Sequence, residues 1–155
     1  MKKRSRALIS IACAASIFAG GVPAVVSAQA DDSIGLQMRD ASDVTGDEFL
    51  WQARLIVVFA DSPLDPRFAD QIAKLEAGAE TLLDRDVVVI TDTDPGMASE
   101  LRENLRPRGF MMVLIGKDGV IRLRKPFAWD VREISRSIDK IPLRQQEVRD
   151  RRATE

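Results

Sequence analysis

Two unbroken runs of branched apolar residues, Leu55-Ile56-Val57-Val58-Phe59 and Val87-Val88-Val89-Ile90, constrain this chain more than any other feature. Runs without polar alternation suit strands covered on both faces, which places them in the middle of a parallel arrangement. Between them Phe68, Ile72, Leu75, Ala79, Leu82 and Leu83 recur at helical spacing. Asp65-Pro66 reads as an N-cap followed by proline at the first helical position. The segment predicts one βαβ unit.

A second cap, Asp94-Pro95, predicts a shorter helix on which Met97, Leu101 and Leu105 share a face, ended by Pro107 and Gly109. Phe110 to Ile115 reads as a strand, Gly116-Lys117-Asp118-Gly119 as a turn, and Ile121 and Leu123 alternate with Arg122 and Arg124 in the return strand. That alternation predicts one wet face near a sheet edge. Asp130 and Glu133 form a capping pair before the stripe Val131, Ile134, Ile138 and Ile141 of a last helix, which stops at Pro142. The order is βαβαββα: an α/β fold with a central mixed sheet and helices on both faces. The domain is expected over residues 49–150, behind an irregular segment at 31–48 and before a disordered tail at 151–155.

Residues 1–30 carry the marks of a cleaved signal peptide. Lys2, Lys3, Arg4 and Arg6 make a basic start, Ala7 to Gly20 is uncharged, and Ser27-Ala28-Gln29-Ala30 supplies small residues for a cut after Ala30, with Ala28 as the variant site. The apolar run falls short of the roughly 20 residues of a membrane span, so no transmembrane anchor is expected after cleavage. The implied location is outside the cytoplasm, with a bacterial periplasm as the default.

The chain has no His, and its one Cys, Cys13, lies in that leader. From residue 31 onward triads, Cys-His pairs and His-ligated zinc are excluded. With 23 basic and 24 acidic side chains overall, a nucleic-acid partner held by bulk positive charge is excluded too.

The element order resembles the thioredoxin fold. Laid over it from Phe59 without gaps, the CGPC redox motif falls on Leu64-Asp65-Pro66-Arg67, and the cis-proline that flanks it falls on Met111. There is thus no CxxC and no cis-proline equivalent, and thiol-disulfide exchange has no thiolate to begin it. The segments Leu114-Ile115-Gly116-Lys117-Asp118-Gly119, Arg122-Leu123-Arg124 and Ile138 to Glu147 resemble the bacterial branch of the DUDES-type thioredoxin-like domain. That family is one of unknown function, with similar domains in secreted sushi-repeat and extracellular-matrix animal proteins. The resemblance implies an exported module and supplies no catalytic residue.

Two groups of residues stand out as candidate sites. Asp61 and Asp65 follow the first strand and Asp92 and Asp94 the second, an acidic carboxyl edge of the kind that could hold a hard cation, although Asp65 and Asp94 already read as caps. The charge is also divided. Residues 31–101 carry 5 basic and 16 acidic side chains, residues 102–155 carry 14 and 8. Arg122, Arg124 and Arg144 in the basic part are candidates for a surface that meets an envelope protein or an anionic envelope component. No cofactor, metal or catalytic residue is assigned. The expected function is a non-catalytic binding or structural module; the alternative is a stress-protective or metal-dependent protein using the acidic edge or Met111 and Met112. Trp51 and Trp129 are expected to pack at the rim of the sheet.

Overall fold

The computed structural model describes residues 35–45 and 47–154, so the leader reading of residues 1–30 lies outside the described residues. Five strands form one sheet: β1 (Met38–Asp40), β2 (Arg54–Phe59), β3 (Val87–Asp92), β4 (Met111–Ile115) and β5 (Ile121–Lys125), in the spatial order β1-β3-β2-β4-β5. β3 runs parallel to β1 and β2, while β4 is antiparallel to both β2 and β5. The helices are α1 (Pro66–Ala77), α2 (Ala79–Leu83), α3 (Glu100–Leu105), α4 (Val131–Asp139) and α5 (Pro142–Thr154).

The two apolar runs become β2 and β3, and they bury both faces as their composition requires. Val57, Phe59, Val88, Ile90, Val113 and Ile115 pack on one side with Leu101 and Leu105 of α3. Ile56, Val58, Val89, Met112 and Leu114 pack on the other with Leu75, Leu82, Ile134 and Ile138 of α1, α2 and α4. Each full burial of such a side chain contributes about 1.5–3 kcal/mol, so these two layers supply the main drive to fold.

Five details differ from the sequence expectation. Residues 31–48 are not wholly irregular, because Met38, Arg39 and Asp40 pair with Val89, Ile90 and Thr91 as edge strand β1. The first helix divides at Gly78, where a Cβ would come within 2.6 Å of Val131, so α1 and α2 pass close against α4. The second helix also breaks. Asp94 caps a single 3₁₀ turn at Pro95–Met97, Ala98 is left-handed at φ 45°, and Ser99 caps α3 afresh. In the return strand Ile121 opposes Ile115 and Leu123 opposes Leu114, so Arg122 is the extra residue of a β-bulge. Ile121 and Leu123 therefore face opposite sides, and both faces of β5 are partly wet. Finally, residues 151–154 are not a tail but the last turn of α5, where Arg151 Nη1 reaches Asp84 Oδ1 at 3.1 Å.

Helix α5 has little apolar surface, and ion pairs hold it down. Arg54, fully buried at the start of β2, donates to Glu147 Oε2 at 2.9 Å and to the Arg85 carbonyl at 2.9 Å. Lys117 in the β4–β5 turn lies 3.2 Å from Glu147 and 2.8 Å from Asp86. Arg144 donates to Asp84 at 2.8 Å, and Arg85 takes the two oxygens of Asp139 at 3.0 Å each. Burial alone would push the Glu147 carboxyl up; the hydrogen bonds and charges of Arg54 and Lys117 outweigh it and hold the group below the usual glutamate range.

Candidate functional site

At the carboxyl ends of β2 and β3 the four predicted carboxylates are brought to one edge, but most are already engaged. Asp65 caps α1 by accepting from the Arg67 amide at 2.8 Å, and its other oxygen takes the Arg67 guanidinium at 2.7 Å. The Arg67 hydrogen bond holds the Asp65 carboxyl below its ordinary value. Asp94 accepts from the Gly96 amide at 2.8 Å and is a cap. Asp92 is not a loop residue: it is the last residue of β3, only 4% exposed, and it accepts from Ser99 Oγ at 2.5 Å and from Arg102 at 2.6 and 2.9 Å. Arg102 also donates to the Ala60 and Asp92 carbonyls and lies 5.4 Å from the centre of the Phe59 ring. Asp61 and Asp94 are exposed, and Asp61 lies 3.9 Å from Arg102.

The result is a clamp, centred on the Asp92–Arg102 pair, that closes the ends of two central strands, with Asp61 and Asp94 exposed beside it. Among the described residues no group of three or more His, Cys, Asp or Glu side chains is placed to hold a metal ion. The positions laid over the redox motif are equally occupied: Leu64 is exposed, Asp65 and Arg67 bind each other, and Arg67 sits 5.5 Å over the Phe110 ring. Met111 is half-buried opposite Phe59, and Met112 is buried.

The basic half is arranged differently. Arg144 is 3% exposed and belongs to the α5 anchor, so it is not part of a partner surface; its helix packs it against Asp84, Asp139 and Glu147. Arg122, half-buried at the bulge, turns back to pair with Asp118. Of the three candidate arginines Arg124 stays exposed, and among the described residues it has no carboxylate within ion-pair distance; it donates to the Leu105 carbonyl at 2.6 Å. That bond brings it to the end of α3, where exposed Arg106 and Arg108 follow.

On the opposite face of β5 lies a cleft of about 390 Å³ between the strand and the α4–α5 corner, lined by Arg122, Leu123, Lys125, Trp129, Lys140 and Ile141 among others. Lys125 Nζ rests 4.3 Å over the Trp129 ring and Lys140 is exposed. Gln71, fully buried on α1, fixes this wall by donating to the Trp129 carbonyl at 3.1 Å and accepting from the Trp129 amide at 2.7 Å. Trp129 is thus half-buried at the rim as expected, whereas Trp51 is 66% exposed. Residues Arg106, Arg108 and Lys140, which sequence reasoning missed, complete the cationic rim. The signal was present only in the long-range pairing that carries the end of α3 and the α4–α5 corner to either side of β5.

The solved structures that resemble this one include reduced 2-Cys peroxiredoxin from Plasmodium vivax, at TM-score 0.52 and 12% identity over 63% of this chain and 82% of the other. Another is chloroplastic thioredoxin z, at TM-score 0.54 and 22% identity over 70% of this chain and 95% of the other. At these identities the likeness shows the fold alone, and the fold is thioredoxin-like. No curated protein matches the chain. A family model described as "Domain of unknown function (DUF4174)" matches residues 46–147.

Proposed function

The chain belongs to the DUF4174 family of domains of unknown function, and from that premise we propose that it is a non-catalytic docking module whose partner is an anionic component of the cell envelope. Export to a periplasm, and kinship with the bacterial branch of the DUDES-type domain and its sushi-repeat relatives, belong to the same reading; the basic start and small-residue end of residues 1–30 support the first, and the segments around Lys117 and Glu147 the second.

One observation carries the reading. Arg124 and Lys125 lie on β5, Arg106 and Arg108 follow the α3 end that Arg124 reaches, and Lys140 lines the cleft on the other side. Among the described residues none of the five has a carboxylate within ion-pair distance, while Asp118 pairs with Arg122 and Asp130 caps α4 through the Arg132 amide. Cations gathered without partners raise the local potential and steer anions toward the surface. Catalysis has less support, since Asp65 and Asp92 are engaged by Arg67 and Arg102 and Asp94 caps a 3₁₀ turn through the Gly96 amide.

The test is capture of an envelope component on the immobilised protein across a salt series, repeated with Arg108→Glu and Lys140→Glu together. Salt-sensitive capture by the wild type and its loss in the double variant are the expected results. Capture unchanged by the charge reversal overturns the reading.

A further inference from the structure

We propose, resting on the docking reading above, that β5 receives an extended acidic tract of a partner protein, which adds to the sheet as a further strand. β5 is one of the two edges of the sheet: β4 pairs with one side of it, and among the described residues no strand pairs with the other. A five-residue edge strand presents a row of backbone donors and acceptors to solvent, which is the template that strand addition uses.

Charge selects the occupant. An added strand sends alternate side chains to opposite faces of the sheet. On one face of β5 they meet Arg124, which faces Val113 and the α3 end with Arg106 and Arg108; on the other they meet Lys125, which faces Met112, and Lys140 across the cleft. Because cations wait on both faces, consecutive acidic residues fit, whereas an alternating acidic and apolar strand satisfies one face only. The same charges oppose a second copy of this chain. Two β5 strands side by side would bring Arg122, Arg124 and Lys125 of both copies along one seam, with Arg122 opposite Arg124 in an antiparallel pair centred on Leu123, and like charges directly opposite destabilise a strand pair.

The experiment is fluorescence anisotropy of a labelled peptide of about ten consecutive Asp and Glu residues, titrated with the purified protein at several salt concentrations, with amide hydrogen exchange of the complex. The expected results are salt-dependent binding and at least about tenfold slower exchange at Ile121–Lys125. Binding should weaken by at least about tenfold for a fully N-methylated peptide of the same charge, and likewise for Arg124→Glu with Lys125→Glu. Arg108→Glu with Lys140→Glu supplies the charge reversal if the first pair misfolds.

Equal binding of the N-methylated peptide, or no protection of β5, overturns strand addition while the broader anion-docking reading stands. Capture of phosphatidylglycerol vesicles or anionic dextran with no binding of the peptide overturns the acidic-tract partner. Self-association through β5 overturns it as well. No binding of any of these anions overturns both readings.

Discussion

The carboxyl ends of β2 and β3 and the outer strand β5 both concentrate charge, and they differ in how much of it is met by an opposite charge. At the first, Asp65 meets Arg67, Asp94 meets a backbone amide, and Asp92 is buried between Ser99 and Arg102. At the second, Arg106, Arg108, Arg124, Lys125 and Lys140 have no carboxylate within ion-pair distance among the described residues. A cluster of like charges in sequence is therefore a poor guide to function until its counter-charges are located. At the acidic edge Asp65 and Asp92 are taken up by Arg67 and Arg102, whereas the cations of the basic rim are the ones we propose as the docking surface.

The comparison can be broken at its structural end first. Asp92→Ala leaves the mostly buried Arg102 without its main partner, and a loss of about 3 kcal/mol is expected in urea unfolding. A near-neutral result would mean that Arg102 relaxes to solvent and that the edge is not a clamp. Gln71→Ala removes both hydrogen bonds to the Trp129 backbone and should cost about 2 kcal/mol, with weaker peptide binding through a loosened cleft wall.

Glu147→Gln should cost about 1 kcal/mol at neutral pH. The folded carboxyl titrates below its ordinary value, so its contribution is complete above that value and is lost as pH falls through the folded one. Acid unfolding followed by circular dichroism should accordingly be less steep in the variant; identical acid limbs would detach Glu147 from the α5 anchor.

The basic end should respond in the opposite sense, with small effects on stability and large ones on binding. Arg106 holds a left-handed φ of 48° at the end of α3, a conformation that favours glycine. Arg106→Gly should raise stability by up to about 1 kcal/mol while weakening the acidic peptide. A stabilised variant with unchanged affinity would remove Arg106 from the rim. Arg108→Glu with Lys140→Glu should move stability by less than about 0.5 kcal/mol, as expected for exposed side chains that make no ion pair.

How much of this was legible in the sequence depended on how local the cause was. β2, β3 and the Asp65-Pro66 start of α1 follow from composition and spacing within a few residues, and the structure has them. β1 carries only three residues and no apolar periodicity; it exists because β3 offers it an edge. Arg122 looked like one tooth of a regular alternation, and the bulge changed its phase. Arg144 lies in a helix so polar that its burial could not be anticipated. The partners that bury it, Asp84 and Asp139, come from the α2 end and the α4 end. Asp92 was grouped with loop carboxylates because Thr91 and Asp92 look like a strand end. Its counter-ion Arg102 lies on α3, ten residues further along.

The segments around Lys117 and Ile138–Glu147 that support the family resemblance meet in space. Lys117 of the turn lies 3.2 Å from Glu147 of α5, and Glu147 binds the buried Arg54. Those residues secure α5 against the start of β2 and the β4–β5 turn.

The claim that the basic rim, and not the acidic edge, carries function is tested most directly by one titration of the acidic peptide against three proteins: the wild type, Arg108→Glu with Lys140→Glu, and Asp61→Asn with Asp94→Asn. The account predicts at least about tenfold weaker binding in the first double variant and unchanged binding in the second. Loss of binding in the carboxyl-edge variant with retention in the rim variant would contradict it.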